Sequence, residues 1–364
     1  MTESTRTIAG LSVAHLVIDL YGPALPAIMS LLILRYGYSY FAAGLLVTVY
    51  NVISSLAQPG IGWVHDRKGM QLPPALSILI CGVFISLIGI APGFGVMLAF
   101  CGIAALGHAA FHPVALSLTG RKSTDENRGR VLSYFVVGGN LGFALGPLAA
   151  GAAIGILGEW GILPMAIPAI AMAVALPLLL PPPPPLRDSS PAPAGGGGGA
   201  AASAIAWTPV AILVTAASLR SMVIFGSIAY LPTYLAQGGL DLLSANTLLS
   251  VMLLVGVAGQ VLGGTASDRS GRKETILVGM AGTVVFLVGF LLLPGPWCLL
   301  SLMLFGFCLW SSFSVTLAIS HELLPGNLGL ASGLLLGLSM GAGGLGVAII
   351  GGIGDAIGLA GAFW

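Results

Sequence analysis

Runs of about twenty apolar residues, separated by short polar breaks, repeat from one end of this chain to the other. Each is long enough to cross a hydrocarbon layer about 30 Å thick as a helix, because a helix rises about 1.5 Å per residue. No water-soluble core absorbs so many: 57% of the 364 residues are hydrophobic and 7% are charged, where a soluble domain carries about 25% charge. The expected fold class is an all-α polytopic membrane protein.

Polar and Gly/Pro clusters set the spans at 8–34, 40–64, 72–91, 94–119, 131–157 and 161–181, then 207–236, 243–266, 275–294, 296–320 and 329–353. This gives an N-terminal six-helix bundle over 1–181, a cytoplasmic Pro/Gly-rich linker over 182–206 and a C-terminal bundle over 207–364 with five evident spans. Pro181 opens a run of five prolines, and a run of five glycines follows, so a stiff piece precedes a flexible one. The first run has no clear small-residue cleavage site and reads as a retained helix. Cys81, Cys101, Cys298 and Cys308 all fall inside apolar runs and read as small core residues.

Two breaks say nearly the same thing: Gly60-Ile-Gly-Trp-Val-His-Asp66-Arg67-Lys-Gly69 and Gly263-Gly-Thr-Ala-Ser-Asp268-Arg269-Ser-Gly271-Arg272, with the aspartates 202 positions apart. With a cytoplasmic N-terminus, eleven of the thirteen Lys and Arg residues lie inside, Arg35 lies outside and Arg220 lies within a span, as positive-inside topology requires. Glycines at 138, 142 and 146 in the fifth span and at 333, 337 and 341 in the eleventh show the same four-residue stagger, which lets helix backbones approach closely. Two parallel repeats are implied, and the symmetry calls for a twelfth helix where only eleven spans are evident.

Two such repeats with Gly-x-x-x-Asp-Arg-x-Gly loops resemble the major facilitator superfamily. Gly142-Phe-Ala-Leu-Gly146-Pro147 is similar to the Gly-x-x-x-Gly-Pro element of its antiporters, which implies export. Within the superfamily the chain resembles the fosmidomycin resistance protein group through His15-Leu-Val-Ile-Asp19, Ser54-Ser-Leu-Ala-Gln58-Pro59, Ala110-Phe-His112-Pro113, Val137-Gly-Gly-Asn140 and His321-Glu322-Leu-Leu-Pro325-Gly326-Asn327. Val114 and Ser117 stand where that group has a Glu and an Arg, so substrate and coupling are open to difference.

An ionisable side chain at mid-membrane costs at least about 2.5–3.5 kcal/mol, which makes each one a functional candidate. Asp19 and Arg220 occupy nearly equivalent places, 201 positions apart, and are expected to face each other across a central cavity. Asp19 is then the proton-responsive carboxylate, and Arg220 either its counter-ion or the anchor of an anionic substrate. His15 lies one turn from Asp19, and His108 and His112 lie one turn apart; each is a candidate proton relay or a hydrogen-bonded core residue. The histidine pair shows no third ligand, so no metal site is expected. Asn51, Ser54, Ser55 and Gln58 stripe one face of the second span, as interhelical bonds or cavity lining. Asp66, Arg67, Asp268, Arg269 and Arg272, with Gly146 and Pro147, are expected to form the conformational gate.

These readings add up to a secondary active transporter, a proton-coupled exporter of a small, anionic compound or drug working by alternating access. The rivals are an importer of a small organic anion and a membrane-embedded sensor. The chain is read as no enzyme: no Gly-x-x-x-x-Gly-Lys loop is present, and the driving force expected is the proton gradient with no cofactor. Its expected partners are the lipid bilayer, protons and a small-molecule substrate, with no nucleic acid. It is expected to be a multi-pass monomer of a prokaryotic plasma membrane.

Overall fold

The computed structural model describes residues 3–68, 72–121, 127–180, 207–324, 331 and 333–364. The 182–206 linker lies outside the described residues. Among them the chain is helical throughout: α1 (Glu3–Asp19), α2 (Tyr21–Tyr36), α3 (Tyr40–Lys68), α4 (Pro74–Leu87), α5 (Phe94–Arg121), α6 (Arg128–Leu157) and α7 (Ala166–Leu179) form the first half. The second half comprises α8 (Trp207–Gln237), α9 (Leu242–Ser270), α10 (Arg272–Leu292), α11 (Pro296–Ser311) and α12 (Phe313–Leu323). A π-helical turn (Gly333–Leu338), α13 (Ser339–Ile357) and the short α14 (Leu359–Ala362) complete it. Several apolar runs are built from more than one helical piece, and among the described residues nine helical stretches are long and apolar enough to cross a membrane, with the shorter apolar helix Pro74–Ile90 beside them.

The first expected span is one crossing in two helices. Pro23 and Pro26 follow the break at Leu20, and Pro23 has no N–H to offer the carbonyl of Asp19, four residues earlier. The helix therefore loosens directly beyond Asp19, at the depth where that carboxylate sits. A comparable break at Ser312 separates α11 from α12. The expected sixth span begins as a tight turn (Gly158–Met165) and becomes α-helical only at Ala166.

The glycine stagger of α6 does what the sequence implies. A Cβ on Gly138, Gly142 or Gly146 would collide with the carbonyl oxygens of Ser12, Leu16 and Leu20 respectively, so α6 lies backbone to backbone on the first crossing. The matching stagger in the eleventh span does not: Gly333 has no atom within 4 Å of such a Cβ, and Gly341 has only the Ser55 side chain at 3.6 Å. Close approaches in the second half are made by other glycines: Gly259 and Gly263 of α9 meet the carbonyls of Phe307 and Ser311 on α11, and Gly343 and Gly346 of α13 meet Ser221 and Met222 on α8. Spacing alone does not say which neighbour a glycine face meets.

The halves join through α3 against α13, α6 against α9 and α2 against α8. Several hydrogen bonds join the halves toward the face that carries Tyr36, Tyr40, Gln237 and Asp355, opposite the Asp-Arg loops. Ser30 Oγ and Thr233 Oγ1 are 2.9 Å apart, Thr48 donates to the Gly344 carbonyl at 2.8 Å, and the Leu148 N–H donates to Ser250 Oγ at 2.9 Å. These bonds bridge the two halves on that face, the one the charge rule leads one to expect outside.

Candidate functional site

Asp19 ends α1, and three imidazoles converge on it. His15 Nε2 lies 3.1 Å from Oδ2, while His108 Nε2 and His112 Nε2 each lie 3.3 Å from Oδ1. One helical turn brings His15 above Asp19, and another brings His112 above His108; α5 supplies the second pair from across the bundle. The side chains of His15 and Asp19 are 9% and 16% exposed, and that of His112 is 26% exposed, so the cluster is largely shielded and opens on its His112 side.

The outer nitrogens of the rings decide what the inner ones do. His15 Nδ1 lies 2.7 Å from the Phe135 carbonyl, and His112 Nδ1 lies 3.1 Å from the His108 carbonyl. A carbonyl only accepts, so both Nδ1 atoms carry hydrogen, a tautomer assigned from the partners. In neutral rings both Nε2 atoms are then acceptors, and both face carboxylate oxygens. His108 differs: the Ser54 hydroxyl, 2.9 Å from its Nδ1, can donate to it, leaving Nε2–H to donate to Asp19. Gln58 Nε2 in turn donates to Ser54 Oγ at 3.4 Å. An ionised Asp19 among three neutral imidazoles thus satisfies one contact of three, and each added proton converts an acceptor pair into a charge-assisted hydrogen bond.

The site is packed as well as bonded. The His15 ring stacks on Phe135 with centroids 4.1 Å apart. A Cβ on Gly139 would sit 2.5 Å from His15 Nε2 and 2.7 Å from Asp19 Oδ2, so only glycine leaves room there. The role of Gly139 and of the Phe135 carbonyl is absent from the sequence reading, although Gly139 lies in the quoted Val137-Gly-Gly-Asn140. Donor atoms of His15, Asp19 and His112 lie within 4.8 Å of one another. This set takes His15 and Asp19 with His112, and not the His108–His112 pair considered from the sequence.

Arg220 stands apart from this cluster. Its guanidinium donates from Nη1 to Ser312 Oγ at 3.2 Å and lies over the Phe313 ring, 5.1 Å from its centroid. The residue is 7% exposed, and Nε has no partner. No described carboxylate pairs with it, so the expected Asp19–Arg220 counter-ion contact is not formed in this conformation. Asn51 faces α13, its Cβ 2.8 Å from where a Cβ on Gly344 would stand.

Of the expected gate, the side chains of Asp66 and Arg67 lie outside the described residues. In the second copy Arg272 pairs with Asp268 at 2.6 Å and with Glu322 at 3.2 Å, tying α9, α10 and α12 together within one half. Arg269 is exposed. Gly146 packs on the Leu20 carbonyl, and Leu148, next to Pro147, donates across to the other half.

The architecture is a bundle of apolar helices long enough to cross a membrane, with Asp19, His15, His108, His112 and Arg220 packed inside it. The family model of the Major Facilitator Superfamily matches residues 7–364, and the chain belongs to that superfamily. It is 31% identical to the fosmidomycin resistance protein of Escherichia coli (strain K12), over 97% of this chain and 88% of that one. It is 30% identical to the uncharacterized MFS-type transporter YfnC of Bacillus subtilis (strain 168), over 96% and 86%. Among solved structures it resembles a bacterial homolog of the human lysosomal transporter Spinster, in an inward-facing and unoccupied conformation, with TM-score 0.79, 16% identity and coverage of 98% and 83%. The nucleoside transporter NupG gives TM-score 0.70 at 14% identity, covering 98% and 92%. The chain is thus a multi-pass membrane transporter and not an enzyme.

Proposed function

We propose that the chain is a proton-coupled exporter of a small anionic compound, with the His15–Asp19–His108–His112 cluster as proton site and Arg220 as substrate anchor. One observation carries the proton reading: two Nε2 atoms, held as acceptors by their own Nδ1–H bonds, face the carboxylate of Asp19. Such a centre holds at least one proton beyond an ionised carboxylate and neutral rings, and gives it up only if the rings and carboxylate separate. The Leu20 break beside Asp19 makes that separation cheap.

Arg220 supports the anionic class. A buried guanidinium without a carboxylate costs several kcal/mol, and an anion entering between the halves would recover part of that. Export is favoured by Gly146-Pro147 and by the likeness to a resistance protein. The chain acts as a monomer in the inner membrane, with its N-terminus cytoplasmic and no cofactor beyond the proton gradient. Val114 and Ser117 leave the particular substrate to experiment.

The test is a growth screen of cells expressing the chain against a panel of small anionic inhibitors, followed by transport of each protected compound into inverted vesicles. Protection that requires Asp19 and pH-driven accumulation in the vesicles support export. Accumulation in right-side-out vesicles driven by an inward proton gradient would establish import instead.

A further inference from the structure

The two halves begin their second crossings with the same local device. Ser39 Oγ accepts from the Ala42 N–H at 3.1 Å, and 202 positions later Asp241 Oδ1 accepts from the Ser244 N–H at 2.9 Å. Both are side chains capping the helix that follows them, three residues on. In the second half the cap is self-contained, because Asp241 Oδ2 also takes the Ser244 hydroxyl at 2.6 Å. At α3 it is incomplete: a hydroxyl stands in place of the carboxylate, and the N–H groups of Tyr40 and Phe41 have no partner within the helix.

Those two groups are met from the other half of the molecule. Asp355, near the end of α13, accepts from Tyr40 N at 2.7 Å through Oδ1 and from Phe41 N at 3.0 Å through Oδ2. A carboxylate on a helix N-terminus gains from the helix dipole as well as from two charge-assisted hydrogen bonds. Tyr40 is held from the same side at two further points. The Tyr230 hydroxyl lies 2.9 Å from its carbonyl and 3.0 Å from that of Val347, and Gln237 Nε2 donates to its phenol at 2.8 Å. Gly44 and Gly351 make room for Tyr230: a Cβ on either would strike its hydroxyl.

We propose that Asp355 is a positioning residue of the transport cycle, a helix cap supplied across the boundary that holds the outer face shut. When the halves part on this side, α3 surrenders its cap to water while α9 keeps its own. The carboxylate therefore has a differential interaction with the two states, which is what shifts a two-state equilibrium. Asp355→Asn keeps the shape and one acceptor but removes the charge and one bond, and it raises the ratio of outer-open to outer-closed molecules about tenfold. Tyr230→Phe moves the ratio the same way.

The experiment is a spin-label distance measurement across the outer face, in purified protein in lipid bilayers, with labels at Pro92→Cys and Leu240→Cys. The four native cysteines lie within the helices, and the unsubstituted chain reports their background. The longer-distance population is expected to rise in Asp355→Asn and in Tyr230→Phe, and to stay at the parent level in Asp241→Asn, which breaks a cap of the same chemistry inside one half. An unchanged distribution in both Asp355→Asn and Tyr230→Phe, or an equal rise in Asp241→Asn, overturns the proposal. The measurement needs no substrate, so its outcome is independent of the export and coupling readings.

Discussion

His15 Nε2 and Asp19 Oδ2 stand 3.1 Å apart on successive turns of α1, while the far side of the same imidazole is fixed to the Phe135 carbonyl of α6. The contact joins a ring whose tautomer is set by one helix to a carboxylate beside the weakest point of another. Under the proposed proton role, occupancy at Asp19 depends on how α1, α5 and α6 lie against one another.

Gly139→Ala tests how tightly that arrangement is packed. The added methyl would stand 2.5 Å from His15 Nε2, so the ring must leave the carboxylate or α6 must retreat. A loss of about 1–3 kcal/mol is expected, read as a lowered thermal midpoint, together with loss of pH-driven transport. Retained transport at full stability would show that the cluster tolerates being spread.

Arg220→Gln removes the unpaired guanidinium but leaves the proton site alone. The expected result is a rise in KM for an anionic substrate of at least about tenfold, since a charge-assisted contact is worth roughly 1.5–3 kcal/mol. The pH dependence of the residual transport should stay that of the parent. Arg220→Lys should recover little, because a point charge does not reproduce the planar fork beside Ser312 and Phe313.

His108→Gln separates relay from packing. Its imidazole is the one ring of the three able to donate from Nε2 while accepting from Ser54, so Gln, which donates without titrating, should preserve the fold. Transport should persist with an altered pH profile, whereas His15→Gln should abolish coupling. Equal loss in both would mean that the three rings are not distinct in role.

Outside the membrane, Asp241 offers a pH test of the helix start that it caps. The Ser244 hydroxyl, and then the Ser244 N–H, hold its carboxyl below the ordinary value of 3.8. A depressed folded value means that the cap stabilises fully above the ordinary Asp pKa and is lost as pH falls through the folded one. Protection of the Ser244 amide in the first turn of α9, taken relative to its intrinsic exchange rate at each pH, should therefore hold at neutral pH and fall below about pH 4, and Ser244→Ala should move that loss to higher pH.

Much of this was legible in order of appearance along the chain. The crossings follow from run length, and His15, Asp19, His108 and His112 stand out because each is a polar group in an apolar run. Their meeting at one carboxylate was not legible, because it depends on which face of α5 turns toward α1, and packing decides that. The same reason placed Arg220 beside Ser312 and Phe313, although repeat symmetry set it opposite Asp19. The role of Asp355 was not legible at all, since nothing local to it shows that the N–H groups it satisfies lie more than three hundred positions earlier.

The proposed function stands or falls with Asp19 as the carrier of the transported proton. Its most direct test compares the parent and Asp19→Asn in proteoliposomes, with a substrate drawn from the growth screen, under a pH gradient and under substrate exchange at equal pH. Asp19→Asn should still exchange substrate for substrate, which shows the fold and Arg220 intact, but should no longer accumulate it along the gradient. Accumulation at the parent level in Asp19→Asn would contradict it.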